Sequence, residues 1–185
     1  VFAADKMKTG KIFLCGKELR HRSPGKSVRA GIGMVPEDRK QHGIILPLTI
    51  KENISLTNYK SISNVFGFIK TKREKENTVE LIRKLSIKAE DENQETVKLS
   101  GGNQQKVALA KWLNRDCRVL IIDEPTRGID VGAKVEIYDL ICELSKKGVA
   151  LIVISSETHE LTGICDRIIV MRKGRIKSVL TRPEF

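Results

Sequence analysis

Residues 118–124, Arg-Val-Leu-Ile-Ile-Asp-Glu, constrain the fold more than any other stretch of this 185-residue chain. Val119–Ile122 is uninterrupted by polar residues, the pattern of a parallel strand covered on both faces. Asp123 and Glu124 close the run, so they emerge at the strand's C-terminal end, where open α/β sheets place their ligands. Successive strand residues point to opposite faces. The two carboxylates can therefore divide the work, one holding Mg²⁺ through water and the other orienting or deprotonating an attacking water. Upstream, Leu99-Ser100-Gly101-Gly102 is a small-residue turn that opens a helix. A helix N-terminus presents unpaired N–H groups and the positive end of the dipole, so it holds anions. Ser100 adds a hydroxyl, and glycines 101 and 102 are expected to remove side chains that would keep a phosphate away. A Ser-Gly-Gly turn alone is a cap, and Asp-Glu-Pro alone is a loop; their order and spacing together point to phosphate chemistry.

The remaining elements are read along the chain. Gly10 turns into a strand at Lys11–Leu14, which returns through Cys15-Gly16-Lys17-Glu18-Leu19; with Asp5 and Ile12 at the diagnostic positions, Thr9-Gly10-Lys11 is not a P-loop. Gly31–Val35 reads as a short strand followed by the charged segment 36–40. Thr49 with Glu52, and Thr71 with Glu74, read as capping boxes. The second of these opens a helix with an apolar stripe at Val79, Ile82 and Leu85. Between them lies the apolar cluster Val65–Ile69, expected to pack internally or to form part of a docking groove. Val107, Ala110 and Leu113 form a core-facing stripe, and Trp112 is a packing residue. The helix from Val131 to Lys147 buries Ile137, Ile141 and Leu144 and ends at Gly148. Ala150–Ile154 reads as another buried strand, and strands 168–171 and 175–180 turn at Lys173-Gly174.

Composition narrows the class. Hydrophobic residues at 40% support a core, while aromatics at 4% favour an aliphatic α/β sheet over a sandwich. The net charge of +11 is compatible with nucleic acid, an anionic membrane surface or phosphate ligands. Its dispersal without a basic block points to membrane proximity or nucleotides and falls short of DNA binding. Four cysteines without a CxxC spacing read as reduced, core or half-buried thiols of a cytosolic protein. No apolar run is long enough to span a bilayer, and no signal peptide is visible.

The residues 99–106, Leu-Ser-Gly-Gly-Asn-Gln-Gln-Lys, resemble the signature of ATP-binding-cassette (ABC) ATPases, and Val119–Pro125 resembles their Walker B strand with its adjacent glutamate. Residues 36–44, Pro-Glu-Asp-Arg-Lys-Gln-His-Gly-Ile, and 123–134 resemble the second ATPase domain of tandem ribose-, galactose- and arabinose-type importers. The resemblance implies a P-loop NTPase-type α/β fold, a mostly parallel sheet flanked by helices. It further implies core strands and the Q-loop region over 1–48, a helical subdomain over 49–98, and the signature helix with the Walker B core over 99–185. It implies ATP and Mg²⁺ as cofactors, with Glu124 catalytic and Asp123 holding the metal through water. Ser100, Gly101, Gly102 and Asn103 would contact ATP in trans, and Asp130 would stand in the D-loop. Two departures stand out. Glu37 occupies the place of a glutamine that touches Mg²⁺ and water, and Ser156 occupies that of a switch histidine. His159, three residues on, reads as an exposed helix residue.

The implied partners are the first ATPase domain of the same polypeptide or a second copy, membrane permease subunits and, indirectly, a periplasmic or extracellular sugar-binding protein. Nucleic acid is not among them, and the implied place is peripheral, at the cytoplasmic face of the membrane. The chain lacks an initiator Met and a P-loop, so Val1 is expected to lie just beyond such a loop in a longer protein. The competing readings are a soluble ABC-type ATPase acting on nucleic acid or ribosomes, which would carry a long coiled coil or basic linker, and a degenerate regulatory nucleotide-binding module.

Overall fold

The computed structural model describes residues 2–5, 7, 9–20 and 23–185. Val1, on which the expectation of a preceding loop rests, lies outside them. A two-residue hairpin, β1 (Phe13–Leu14) and β2 (Lys17–Glu18), is followed by α1 (Pro24–Arg29) and β3 (Ile32–Val35). A π-turn at Arg39–Gly43 leads to the short helices α2 (Ile50–Ser55) and α3 (Tyr59–Ile62) and the longer α4 (Thr71–Lys84). A 3₁₀ turn at Thr96–Lys98 enters α5 (Gly101–Leu113), then β4 (Val119–Asp123), α6 (Val131–Lys146), β5 (Ala150–Ile154) and α7 (Thr158–Ile164). The chain closes on the hairpin β6 (Arg167–Arg172) and β7 (Arg175–Thr181).

The central sheet is parallel in the order β3-β4-β5, with Val35 opposite Ile122 and Asp123 opposite Ile154. β4 is its middle strand, and Leu120–Ile122 are buried, as an unbroken apolar run requires. β5 is not the fully buried strand expected. Among the described residues it pairs only with β4, and alternate side chains, including Ile152 and Ile154, are exposed. Such alternation is what a strand with one covered face shows.

α5 sits at the centre and is covered on nearly every side. Val107, Leu109 and Ala110 pack with Ile54, Leu120 and Ile137 in one core, but Gln104, Gln105, Lys106 and Lys111 are buried too. The Lys106 ammonium reaches the carbonyl of Ser86 at 2.8 Å and Glu136 at 2.7 Å, while that of Lys111 donates to the carbonyl of Gly43. Trp112 packs edge-on to Phe2 with ring centroids 6.1 Å apart, consistent with a packing role.

α2 begins in the predicted capping box. Thr49 Oγ1 accepts from the Glu52 N–H, and Glu52 Oε2 accepts from the Thr49 N–H at 2.8 Å. One turn on, buried Asn53 stitches three segments. Its amide donates to the Ile45 carbonyl at 2.9 Å and to Thr96 Oγ1 at 2.9 Å, and its oxygen accepts from the Ile45 N–H at 2.7 Å.

The second predicted box fails. Lys70 is the N-cap of α4, Thr71 is already helical, no side chain caps the end, and Glu74 is buried. The inward face carries Thr78, Leu81 and Leu85, leaving Val79 exposed and Ile82 partly buried. Val65, Phe66 and Phe68 do not pack internally. They lie exposed on a turn held by Asn64 Oδ1, which accepts from the N–H groups of Phe66 and Phe68 at 3.0 Å.

α6 ends as expected, with Gly148 at a φ of +86°. The last hairpin turns through Lys173 and Gly174, both at positive φ. Cys15 is exposed rather than half-buried, whereas Cys117, Cys142 and Cys165 are partly buried. Burial pushes the Cys117 thiol up to about 11. Among the described residues no helix is long and apolar enough to cross a membrane.

Candidate functional site

The C-terminal ends of β3, β4 and β5 open into one cleft of about 400 Å³ lined by Glu37, Glu124, Arg127, Lys134, Ser156 and Glu157, among others. Two of its three carboxylates are neutralised in place: Glu37 pairs with Arg127, and Glu157 with Lys134 at 2.8 Å. Glu124 is the lining carboxylate in no salt bridge among the described residues. It stands at a φ of +47°, with its N–H donating to the Ile154 carbonyl at 2.8 Å, so the β4–β5 ladder reaches one residue past the strand. Glu124 Oε1 accepts from the Ser156 N–H at 2.8 Å, which leaves the second oxygen for the cleft.

Asp123 closes β4 half-buried. Burial first, and the neighbouring Glu124 charge second, raise its pKa. A carboxylate strained in that direction is one that a divalent cation would relieve. The described residues contain no cluster of three metal-ligating side chains, so Asp123 is the carboxylate beside Glu124 that could accept from a cation's water.

Asp130 is exposed and caps α6, its Oδ1 accepting from the Ala133 N–H at 3.0 Å. Ser100 caps α5 from an exposed position. Its Oγ accepts from Asn103 Nδ2 at 2.9 Å, which leaves the hydroxyl proton free to donate outward. Asn103 is committed within the chain, because its Oδ1 also accepts from the Lys88 N–H at 2.8 Å.

The glycines are not simply openings for phosphate. A Cβ at Gly102 would stand 2.9 Å from that of Ala133, and one at Gly101 would stand 2.8 Å from Arg39 Nη2 and 3.1 Å from the Gly128 carbonyl oxygen. Both permit close approach inside the chain.

The structure therefore brings Glu37, Glu124 and Ser156 to one cleft and leaves Ser100 and Asn103 outside its lining. His159 is exposed in α7, as expected. The residue that sequence reasoning missed is Glu160. It is 3% exposed and accepts from Thr126 Oγ1, from Tyr138 Oη at 2.8 Å and from Ser155 Oγ at 2.6 Å. It ties the turn after β4 to α6 and to the loop after β5. Nothing local marks it, since a glutamate in a short helix ordinarily faces water.

This arrangement is that of an ABC ATPase cassette. The dimeric ATP-binding cassette MJ0796, in a post-hydrolysis state with ADP and Pi, matches with a TM-score of 0.80 at 20% identity over 100% of this chain and 78% of its own. CbiO1 of Clostridium perfringens matches with a TM-score of 0.78 at 24% identity over 99% of this chain and 70% of its own. The chain belongs to the ABC transporter family, whose sequence model matches residues 2–127. A putative ribose/galactose/methyl galactoside import ATP-binding protein of Rhizobium meliloti is 53% identical over all of this chain and 37% of its own length. An arabinose import ATP-binding protein of Rhizobium etli is 46% identical with the same coverage of each. The chain thus spans just over a third of these curated relatives.

Proposed function

We propose that these residues form part of the ATP-binding subunit of a monosaccharide importer and that the α5 end completes the ATP site of an opposing ATPase domain. The observation that carries this reading is the exposed Ser100 at the N-terminus of a 13-residue helix with no acidic residue in its first turn. Its hydroxyl proton and the free N–H groups of that turn are donors for the γ-phosphate oxygens. The sugar class comes from the import ATP-binding relatives, which share about half of this sequence.

In this reading the three segments take the roles of Q-loop core, helical subdomain and signature with Walker B, over 1–48, 49–98 and 99–185. The domain's own site is the degenerate one. Glu37, exposed at the cleft, is paired with Arg127, and Ser156 offers Glu124 a backbone N–H in place of an imidazole near phosphate. Bound Mg²⁺, held through water at Asp123, would neutralise charge on the phosphates. Glu124 is the base that would orient water. The 185 residues contain no GxxxxGK[ST] sequence to cradle phosphates, so a site of their own would need such a loop from elsewhere. The domain works at the cytoplasmic face of the membrane, where closure on a partner domain is passed to permease subunits fed by a sugar-binding protein.

Ser100→Arg in the full-length protein tests the reading. Hydrolysis and sugar uptake are expected to collapse, while thermal unfolding stays near wild type because an exposed cap is worth only about 0.5–2 kcal/mol. Near-normal uptake by the folded variant would reduce Ser100 to a helix cap.

A further inference from the structure

Arg39 occupies an unusual place. It opens the π-turn after β3, which Asp38 caps by accepting from the N–H groups of Lys40 and Gln41 at 3.0 and 3.1 Å. The side chain runs inward and is only 8% exposed. Nη1 donates to the Arg127 carbonyl at 2.8 Å, Nη2 faces Gly101 at a distance that admits no Cβ, and the Nε–H is buried with no partner among the described residues. Three segments far apart in sequence meet on this guanidinium: the turn bearing Glu37, the first residue of α5, and the turn between β4 and α6.

Stability alone does not account for this placement. A buried, incompletely paired charge costs more than an apolar side chain of the same volume. A cation behind a helix N-terminus also meets the positive end of the dipole, the unfavourable sign. No acidic residue in the first turn of α5 offsets it, and the charge of Asp38 does so only in part. The arrangement becomes favourable when an anion arrives at that end of the helix.

We propose that Arg39 is a positioning residue for the phosphate-binding end of α5, holding Gly101 against the 127–128 turn and reinforcing the positive potential at Ser100. The proposal rests on the reading that Ser100 meets the γ-phosphate of an opposing domain. It adds a residue that touches neither nucleotide nor metal. It also links the Glu37 segment twice to the turn between β4 and α6, since Glu37 pairs with the Arg127 side chain and Arg39 holds the Arg127 main chain.

Three substitutions in the full-length protein test it, read by ATPase kinetics and by melting temperature. Arg39→Met removes charge and donors and is expected to raise the KM for ATP about fivefold or more, the size of one helix-terminus charge effect. Its kcat at saturating ATP should fall less than its kcat/KM. Arg39→Lys keeps the charge and a donor and should recover most of the affinity. Arg39→Gln keeps a donor without the charge, so it should pair a near-normal melting temperature with the raised KM, and it stands in should the Met variant fail to fold. If the neutral variants keep a wild-type KM while Ser100→Arg abolishes hydrolysis, the Arg39 proposal falls and the reading of Ser100 stands. If Ser100→Arg is silent, both fall. A KM raised equally by Lys, Gln and Met, in step with a lowered melting temperature, would make Arg39 a packing residue and overturn the proposal.

Discussion

Glu124 and Ser156 are joined across the ends of β4 and β5: the Ser156 N–H donates to Glu124 Oε1 at 2.8 Å. The carboxylate is therefore oriented by the loop after β5, and its Oε2 is left to accept from a water. Removing a positioned general base typically costs 10²–10⁴-fold in rate. With Glu37 engaged by Arg127 and Ser156 carrying no imidazole, this site has less to lose. If the proposed tandem arrangement holds, Glu124→Gln in the full-length protein should lower steady-state hydrolysis by less than about tenfold, and the matching change in the opposing ATPase domain by about 10²-fold or more. Equal, near-complete losses would show two equivalent sites.

Glu160 is predicted to be a stability determinant of the loop after β5. Burial alone would raise its pKa, but hydrogen bonds from Ser155, Thr126 and Tyr138 and the charge of Lys134 outweigh burial and hold it below the usual carboxylate value. A depressed folded-state pKa means a contribution fully present above the unfolded value of about 4.3 and lost as pH falls through the folded one. Glu160→Leu strands three hydroxyls and should cost about 2–4 kcal/mol at neutral pH. Denaturant melts should show the gap to wild type narrowing below about pH 4.3. A gap unchanged down to about pH 3 would remove the charge from the explanation.

Lys111 should give a pH dependence of the same sign in the alkaline range. Burial lowers its pKa to about 8, while its ammonium lies 5.5 Å from the Trp112 ring centroid and donates to the Gly43 carbonyl. Between about 8 and the unfolded value of about 10.4 the unfolded chain binds more protons, so stability rises with pH across that window. Relative to Lys111→Met, wild type should gain on the order of 2–3 kcal/mol between about pH 7 and pH 10. Parallel stability–pH curves for the two proteins would contradict a buried, proton-releasing ammonium.

What was legible in the sequence had local causes. Val119–Ile122 announces a covered parallel strand by lacking polar alternation, Thr49 and Glu52 satisfy each other's N–H groups within one turn, and Lys173-Gly174 supplies two positive-φ residues for a tight turn. The failures share a different cause. Thr71 and Glu74 have the spacing of a capping box, but the helix starts one residue early and Glu74 is drawn inward by tertiary packing. Arg39, Lys106, Lys111 and Glu160 are buried because partners distant in the chain satisfy them. No periodicity or motif carries that information. At the site, the order of serine, strand and carboxylates was readable, whereas the ion pairs that occupy Glu37 and Glu157 were not.

The glycine at 102 separates two explanations of the Ser-Gly-Gly turn, room for phosphate and room for a neighbouring helix. A Cβ there would stand 2.9 Å from Ala133 Cβ and 3.7 Å from Ile129 Cγ2. Ala133 is in the first turn of α6, and its N–H is held by Asp130 Oδ1, so it cannot swing aside as a long side chain would. Overpacking of this kind costs about 1–3 kcal/mol, against a helix-propensity gain of at most about 1 kcal/mol for Gly to Ala. Gly102→Ala should therefore destabilise the protein by about 1–2 kcal/mol. Ala133→Gly removes the methyl that Gly102→Ala would strike, so the double variant should be more stable than the two single effects predict by about 1–2 kcal/mol. Denaturant melts of the four proteins give that coupling directly. Additive effects would mean that the methyls do not meet and that the glycine answers to a ligand instead.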